Sequence, residues 1–394
     1  MLAKTDKAVI LHKLEENVSA QNVQILKEDV HILDGNVLLH SLHTIQDTFG
    51  ELPKYILKRL LNVSVVHFVT DSYRDLSIKG QERLRRGKSD PLIITGPSSK
   101  VPRNFKNFLS NDENKRNLLA LVRNEWSTDT YAEYLKDRNI YFVCDQECTL
   151  LTSEDGLSTD VRPIFELFSS QEEADTRVIL HLKYVNDTSG AERVIVRSTD
   201  TDVFVLLLHF FPQFTNLRGV KFDTGVGDKR RWIVINLIHQ SMNIDLLSSL
   251  LGFHAFTGCD STSSFVRKGK LEPFIFLKNS TVIQSTFQDI GNQPQLSEYT
   301  RKELETFTCK IYGSSVISNI NTLRYIKAKE RFRFHAKGNR LVFEKYNADL
   351  SLLPPCRSSL QLHIDRANYQ TYIWKQSLNA YPELPSPLEN GWKL

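Results

Sequence analysis

Acidic residues stand in this sequence at places where a carboxylate could do chemistry. Asp34 follows the apolar run Val30-His31-Ile32-Leu33, Asp71 follows Val65-Val66-His67-Phe68-Val69-Thr70, and Asp200 comes shortly after Val194-Ile195-Val196. Asp260 closes a fourth strand-like stretch, residues 253–259. Two doublets join these: Glu173 with Asp175, and Asp200 with Asp202. Residues two apart share one side of an extended segment but diverge on a regular helix, so each doublet is useful mainly at a strand end or a helix start. The first helical turn also suits acids, because the helix dipole is positive there.

Any one of these residues is by default a helix N-cap or turn former. Seven carboxylates converging on one place are a different matter. Two unit charges about 4 Å apart repel by roughly 4 kcal/mol at an effective dielectric of about 20, so a cluster needs bound cations or raised pKa values. Oxygen-only ligands favour Mg²⁺ or Mn²⁺ over zinc. Two such ions roughly 4 Å apart can activate a water and stabilise the leaving oxygen of a phosphodiester.

Bringing the carboxylates together requires strands that end side by side. Residues 30–33, broken by Asp34-Gly35 and followed by Val37, Leu38, Leu39 and Leu42 at helical spacing, read as strand, turn, helix. Residues 65–70 read as a second strand feeding a basic helix or arch, and residues 88–107, with Pro91, Gly96, Pro97 and Pro102, read as a mobile loop. Helical segments are predicted over 114–135, 171–184 and around 246–251, and strands at 140–143, 149–151, 194–196 and 232–235. This alternation predicts an α/β fold, a mainly parallel sheet covered by helices on both faces. Ligands of such sheets gather at the carboxyl ends of the strands. Beyond about Pro273 the periodicity turns helical. The expected organisation is an N-terminal extension (1–27), a core (28–272) with a basic arch or loop at 72–110, and a C-terminal helical extension and tail (273–394).

With 394 residues the chain exceeds the size at which one core stops growing. Net charge is only +4, from 50 Lys and Arg against 46 Asp and Glu, so any nucleic-acid surface must be local. The five cysteines, Cys144, Cys148, Cys259, Cys309 and Cys356, are odd in number and scattered, which predicts a reducing, intracellular setting. The first residues mix charges with short apolar stretches, unlike a signal peptide. No apolar run approaches the ~20 residues of a membrane span, so no membrane partner is expected.

Several of these motifs carry a resemblance. Val69-Thr70-Asp71-Ser72-Tyr73, Glu173-Ala174-Asp175, Thr199-Asp200-Thr201-Asp202 and Gly258-Cys259-Asp260 resemble, in that order, the acidic blocks of flap endonucleases. Leu33-Asp34-Gly35-Asn36 resembles the first-strand aspartate of the same PIN-like nuclease superfamily. The likeness covers roughly residues 29–270 as motifs, with little identity between them. It implies a PIN-like Rossmannoid core and a nuclease that hydrolyses DNA or RNA with Mg²⁺ or Mn²⁺ ions, two in number. Asp34, Asp71, Glu173, Asp175, Asp200, Asp202 and Asp260 would be ligands of those ions or position their water, with Asp71, Glu173, Asp175, Asp200 and Asp202 as the catalytic set and none as a covalent nucleophile. Lys79 and Arg86, with Arg83 in the same run, fall on the segment resembling the basic arch that clamps the scissile phosphate. Arg267, Lys268 and Lys270 surround a single Gly269 where the family has a Gly-rich hairpin gripping the duplex backbone. Such contacts give affinity rather than sequence specificity. Residues 172–177, 200–208, 252–264 and 367–374 also resemble a group of uncharacterised animal proteins, some linked to mobile elements.

Two alternatives stand beside the nuclease. A PIN-like fold retained without catalysis would bind nucleic acid or protein. Asp200-Thr201-Asp202-Val203 also fits the aspartate motif of haloacid-dehalogenase-like phosphatases, whose first Asp is the nucleophile, but that leaves Asp34, Asp71 and the Glu173/Asp175 doublet unexplained. Gly87-Lys88-Ser89 lacks the upstream glycine and strand of a P-loop. Cys144 and Cys148 have no second ligand pair for zinc. The run Arg83, Arg85, Arg86, Lys88 is a solvated face by default and otherwise a phosphate or nuclear-import patch, so the expected location is the nucleus. Tyr369, Tyr372, Trp374 and His254 read as packing residues.

Overall fold

A computed structural model describes residues 5–16, 26–42, 46–73, 89–331, 334–343 and 349–392. The chain divides into two compact units, one of residues 17–241 with 376–383, the other of residues 1–16, 242–375 and 384–394. Among the described residues no helix is long and apolar enough to cross a membrane.

The first unit is built on an eight-stranded sheet: β1 (Val30–Asp34), β2 (Val65–Val69), β3 (Asn139–Cys144), β4 (Glu147–Thr152), β5 (Asp160–Pro163), β6 (Arg193–Arg197), β7 (Gly219–Thr224) and β8 (Arg231–Val234). Their spatial order is β5-β4-β3-β2-β1-β6-β7-β8. The five central strands, β3 to β7 in that order, are parallel, and β4, β5 and β8 pair antiparallel at the flanks. The α/β expectation therefore holds. Two strands, β5 and β7, were not anticipated. β5 is an exposed edge ending at Pro163, with Asp160 and Arg162 outward, so it lacks an apolar signal and resists pairing with other chains.

Alternate side chains of the central strands feed two cores. On one face Phe68 stacks on Phe142 at 5.1 Å and both pack against Trp126 of the Asp112–Trp126 helix. On the other, His67 stacks on Tyr141 at 4.1 Å and its Nδ1 lies 2.9 Å from Nδ1 of His181, on the Ala174–Thr188 helix. Burial pushes His67 down to about 3, so the imidazole is neutral at physiological pH. Covering both faces is what makes these parallel strands continuous apolar runs. Each fully buried Val, Leu or Phe contributes about 1.5–3 kcal/mol.

The second unit is helical, with helices Ala8–Glu15, Ile244–Thr257, Leu271–Lys278, Thr281–Asp289, Glu298–Ile311, Ile320–Arg331 and Arg357–Lys375. A hairpin of β9 (Phe334–Lys337) and β10 (Arg340–Phe343) interrupts the helical C-terminal extension. The stretch expected as a fourth strand, residues 253–259, is instead the end of the Ile244–Thr257 helix. That helix is buried on all sides, through Phe253 and Phe256 against Phe287 and Phe307, and a helix apolar all round shows no helical period to read. It crosses the Thr281–Asp289 helix at Gly252, where a Cβ would stand 2.3 Å from the Phe287 carbonyl oxygen. His254 and Trp374 are fully buried packing residues, and Tyr369 is buried with them.

Candidate metal centre

The order of the parallel strands creates the site. From β1 the chain builds β2 and β3 to one side, then returns to lay β6 on the other side of β1. The crevice at such a reversal opens at the carboxyl ends of β1 and β6. Asp34 is the last residue of β1 and caps the Gly35–His40 helix, its Oδ1 accepting from the backbone N–H of Asn36 at 3.0 Å and of Val37 at 3.3 Å. The turn needs Gly35, whose Cβ would come within 2.7 Å of the Phe68 ring and the Thr70 methyl.

Asp200 caps the Thr201–Phe210 helix, accepting from the Asp202 N–H at 2.9 Å. Ser198 joins the two aspartates: its hydroxyl donates to Asp34 Oδ2 at 3.2 Å and accepts from the Asp200 N–H at 3.1 Å. Asp34 and Asp200 are thus both caps and members of a cluster, so the bland reading and the chemical one coexist. Asp71, beyond β2, accepts from the Ala174 N–H at 2.8 Å and from Asn36 Nδ2 at 2.9 Å. That ties it to the first turn of the Ala174–Thr188 helix, where Glu173 is the buried N-cap residue and Asp175 lies in the first turn.

Asp175, Asp200 and Asp202 each present a carboxylate oxygen, and these oxygens lie within 4.8 Å of one another. Asp34 belongs to the same electrostatic neighbourhood. Burial, then the negative charge of Asp71, and further that of Asp200, push its carboxyl up to about 7, against the hydrogen bonds from Val37 and Ser198. Both doublets sit at a helix start, and of the Glu173/Asp175 pair only Asp175 belongs to the three-carboxylate group.

Behind Asp71 lies a residue that the spacing of acids did not single out. Arg177 is fully buried, and its Nη1 donates to Ser72 Oγ at 3.0 Å, to the Thr70 carbonyl at 3.5 Å and to the Asp145 carbonyl. Ser72 in turn donates its N–H to the Glu172 carbonyl at 2.8 Å and its hydroxyl to the Asp145 carbonyl at 2.8 Å. The guanidinium therefore fastens the chain on either side of Asp71 to the β3–β4 turn. Burial lowers it to about 10, which leaves it charged at neutral pH. Asn36 and Ser198 were likewise missed as organisers, although Ser-x-Asp before an apolar helix is a readable signal.

Lys79, Arg83 and Arg86 lie outside the described residues. Asp260 belongs to the helical unit, where its carboxylate pairs with Lys7 Nζ at 2.8 Å. Arg267 is exposed with a left-handed φ of 56°, and the Lys268 ammonium sits 4.8 Å over the Tyr312 ring. Lys270 departs from its expected role at a phosphate surface. It is 1% exposed, and its ammonium donates to the His254 carbonyl at 2.9 Å and to Thr257 Oγ1 at 2.8 Å. The carboxyl-terminal end of a helix attracts a cation, and Lys270 closes that of Ile244–Thr257. Residues 265–268 form a single turn rather than a helical hairpin, with the Lys268 N–H on the Phe265 carbonyl at 3.1 Å.

The donor set fits a hard divalent cation: carboxylate oxygens only, two of the three residues buried, with like charges close enough to raise a neighbour's pKa. All five cysteines are free thiols and none belongs to this group. Comparison with known families finds no matching family model, and no curated protein matches the chain.

Proposed function

We propose that this protein is a nuclease dependent on Mg²⁺ or Mn²⁺ that hydrolyses phosphodiester bonds of DNA or RNA. The observation that carries this reading is the meeting of Asp175, Asp200 and Asp202 within 4.8 Å at the strand-order reversal. The parallel order β3-β2-β1-β6-β7 is in keeping with the PIN-like resemblance, since Asp34, Asp71 and Asp200 each stand at or just after the carboxyl end of a neighbouring parallel strand. A divalent cation bound there supplies Lewis acidity toward a phosphodiester oxygen and lowers the pKa of water. Asp175, Asp200 and Asp202 hold the cation, Asp71 is oriented by Asn36 and the Ala174 N–H to face the same crevice, and Asp34 keeps or yields a proton near neutral pH. A phosphatase reading with Asp200 as the covalent nucleophile assigns no part to Asp34 and Asp71, although Asp34 is coupled to both Asp71 and Asp200.

The test is incubation of the purified protein with single-stranded, duplex and branched DNA and RNA plus Mg²⁺ or Mn²⁺. Asp200→Asn and Asp202→Asn keep side-chain shape, and Asn still serves as an N-cap. Each is expected to lower cleavage about 100-fold, equivalent to ~2.7 kcal/mol of transition-state stabilisation, with melting temperature little changed. Absence of metal-dependent cleavage by the wild type, or equal cleavage by both variants, overturns the reading. Because Asp34 and Asp200 also serve as caps, a fold kept only for binding is the second reading, and it predicts metal or nucleic-acid binding without turnover.

A further inference from the structure

Cys356 stands in the helical unit at the start of a long helix and on the wall of a cavity. Its carbonyl accepts the Leu360 N–H at 2.9 Å, so Cys356 caps the 19-residue helix Arg357–Lys375, whose dipole is positive at that end. The hydroxyls of Ser358 and Ser359 lie 3.2 and 3.1 Å from its Sγ. These hydroxyls, then the Ser359 N–H and the charge of Arg324, hold the thiol down to about 7 from the ordinary 9.0. Much of it is therefore thiolate, the nucleophilic form, at neutral pH. The thiols of Cys144, Cys148 and Cys309 are instead pushed up by burial.

The cavity has a volume of about 410 Å³, and Arg324, Arg366 and His363 line it together with Cys356. Arg324 Nη1 donates to the Pro354 carbonyl. Arg366 Nε donates to the Gly391 carbonyl at 2.7 Å, and its guanidinium lies 5.3 Å over the Trp392 ring. Among the described residues neither guanidinium is paired with a carboxylate. Asp365, next to Arg366 in the chain, is taken by Arg301 at 2.7 Å, and Glu305 by Arg357 at 3.1 Å. Asp349 is bonded to the Ser351 N–H at 3.0 Å and lies in the field of Arg267 and Arg331. His363 is only 9% exposed, with Nε2 2.7 Å from the Phe256 carbonyl. A carbonyl can only accept, so Nε2 carries the proton, and burial, which lowers the ring to about 4, keeps it neutral. Nδ1 then presents a lone pair with no hydrogen-bond partner among the described residues.

Two guanidiniums and a buried acceptor beside a thiolate complement a small molecule that carries carboxylates, an N–H and an electrophilic sulfur. We propose that Cys356 is a site of reversible S-thiolation by small disulfides whose arms bear carboxylates and an amide N–H, with Arg324 and Arg366 seating the carboxylates and His363 Nδ1 accepting from the N–H. The Cys356 thiolate attacks one sulfur of the disulfide. A new S–S bond forms to Cys356, the disulfide's own S–S bond breaks, and the departing thiolate takes up a proton in place of the one Cys356 released. One disulfide and one thiol thus become another disulfide and another thiol, with no further oxidant. The site does not rest on the nuclease reading, since all its residues belong to the helical unit and none to the carboxylate group.

Full-length protein is incubated at neutral pH with glutathione disulfide, whose arms are anionic, or with cystamine, whose arms are cationic, and thiolation of each cysteine is followed by peptide mass mapping. Glutathione disulfide is expected to modify Cys356 ahead of the other four cysteines, and dithiothreitol to reverse the adduct. The rate with glutathione disulfide divided by that with cystamine should be about tenfold higher at Cys356 in the folded protein than in the same protein unfolded in urea, the effect of two partly buried charge pairs. Arg324→Gln and Arg366→Gln are each expected to lower that ratio about threefold, and Arg324→Lys to keep it. Because a ratio is read, any change in the thiol's own reactivity cancels. Should the Gln variants fold poorly, the comparison of folded with unfolded wild type decides alone. A ratio equal in the two states, or unchanged in both Gln variants, overturns the carboxylate seat. Thiolation of Cys356 no faster than that of Cys259, the other partly exposed thiol, overturns the site itself.

Discussion

Asp34 shows how one residue can serve local structure and chemistry together. Its capping role was legible, because Asp-Gly after an apolar run is a local signal, and so was its place in an acidic group. What the sequence could not show is the strength of coupling, which depends on Asp71 and Asp200 arriving from other strands. Its carboxyl is raised from the ordinary 3.8 to about 7, so the native state binds this proton more tightly than the unfolded chain. The associated stability is present in full below about pH 4 and is lost as pH rises through about 7. Asp34→Asn keeps a capping oxygen and removes the charge. In EDTA at pH 8 it should therefore stabilise the protein by about 1–3 kcal/mol, with the gain shrinking toward pH 5, as read from urea melts at both pH values. A variant that is destabilised at pH 8 would show that the carboxylate is already compensated. Lys270 gives the opposite lesson, since a lysine in a basic run reads as surface, and only the fold reveals that a helix end has drawn it inside.

Elements were legible where their signal is local. The strands 30–34, 65–69 and 193–197 announce themselves by apolar runs with sharp ends, and the two doublets mark helix starts. β7 was missed because Val220 and Phe222 alternate with Lys221 and Asp223 over only 6 residues, and the Ile244–Thr257 helix lost its period to burial on every side. The joint between elements was less visible still. Arg177 links the Ala174–Thr188 helix, the end of β2 and the β3–β4 turn through three acceptors. Arg177→Met would leave those acceptors without their charged donor and should cost about 2–4 kcal/mol, seen as a lower urea midpoint at unchanged m-value. Since the same joint holds Asp71, Mn²⁺ binding measured by calorimetry should weaken as well. A variant with wild-type midpoint and wild-type Mn²⁺ affinity would remove Arg177 from any organising role.

At the scale of the whole chain, the sheet unit and the helical unit carry different parts of the expected site. The predicted boundary near residue 272 assigned Asp260 and residues 267–270 to the nuclease-type core, whereas the compact units divide at Met242. The sequence could not reveal this, because apolar segments run on across the division, from Trp232-Ile233-Val234-Ile235 to Leu246-Leu247. If the centre is confined to residues 17–241, adding Mn²⁺ should slow hydrogen exchange at residues 34–37, 71–73, 172–177 and 200–203 and leave residues 271–311 unchanged. Slowing at residues 258–264 would bring Asp260 into the ligand set, and uniform or absent slowing would count against a localised centre. The division has another consequence, for the order in which the protein is made. Helix Ala8–Glu15 and Lys7 are made well before their partners, the Leu271–Lys278 helix and Asp260, with residues 17–241 coming between them in the sequence. At roughly 5–20 residues per second that interval lasts on the order of ten seconds or more. Residues 17–241 can begin to pack in that time, while the helix waits with its Ile10, Leu11 and Leu14 uncovered, which makes this short segment a candidate for chaperone binding on the nascent chain.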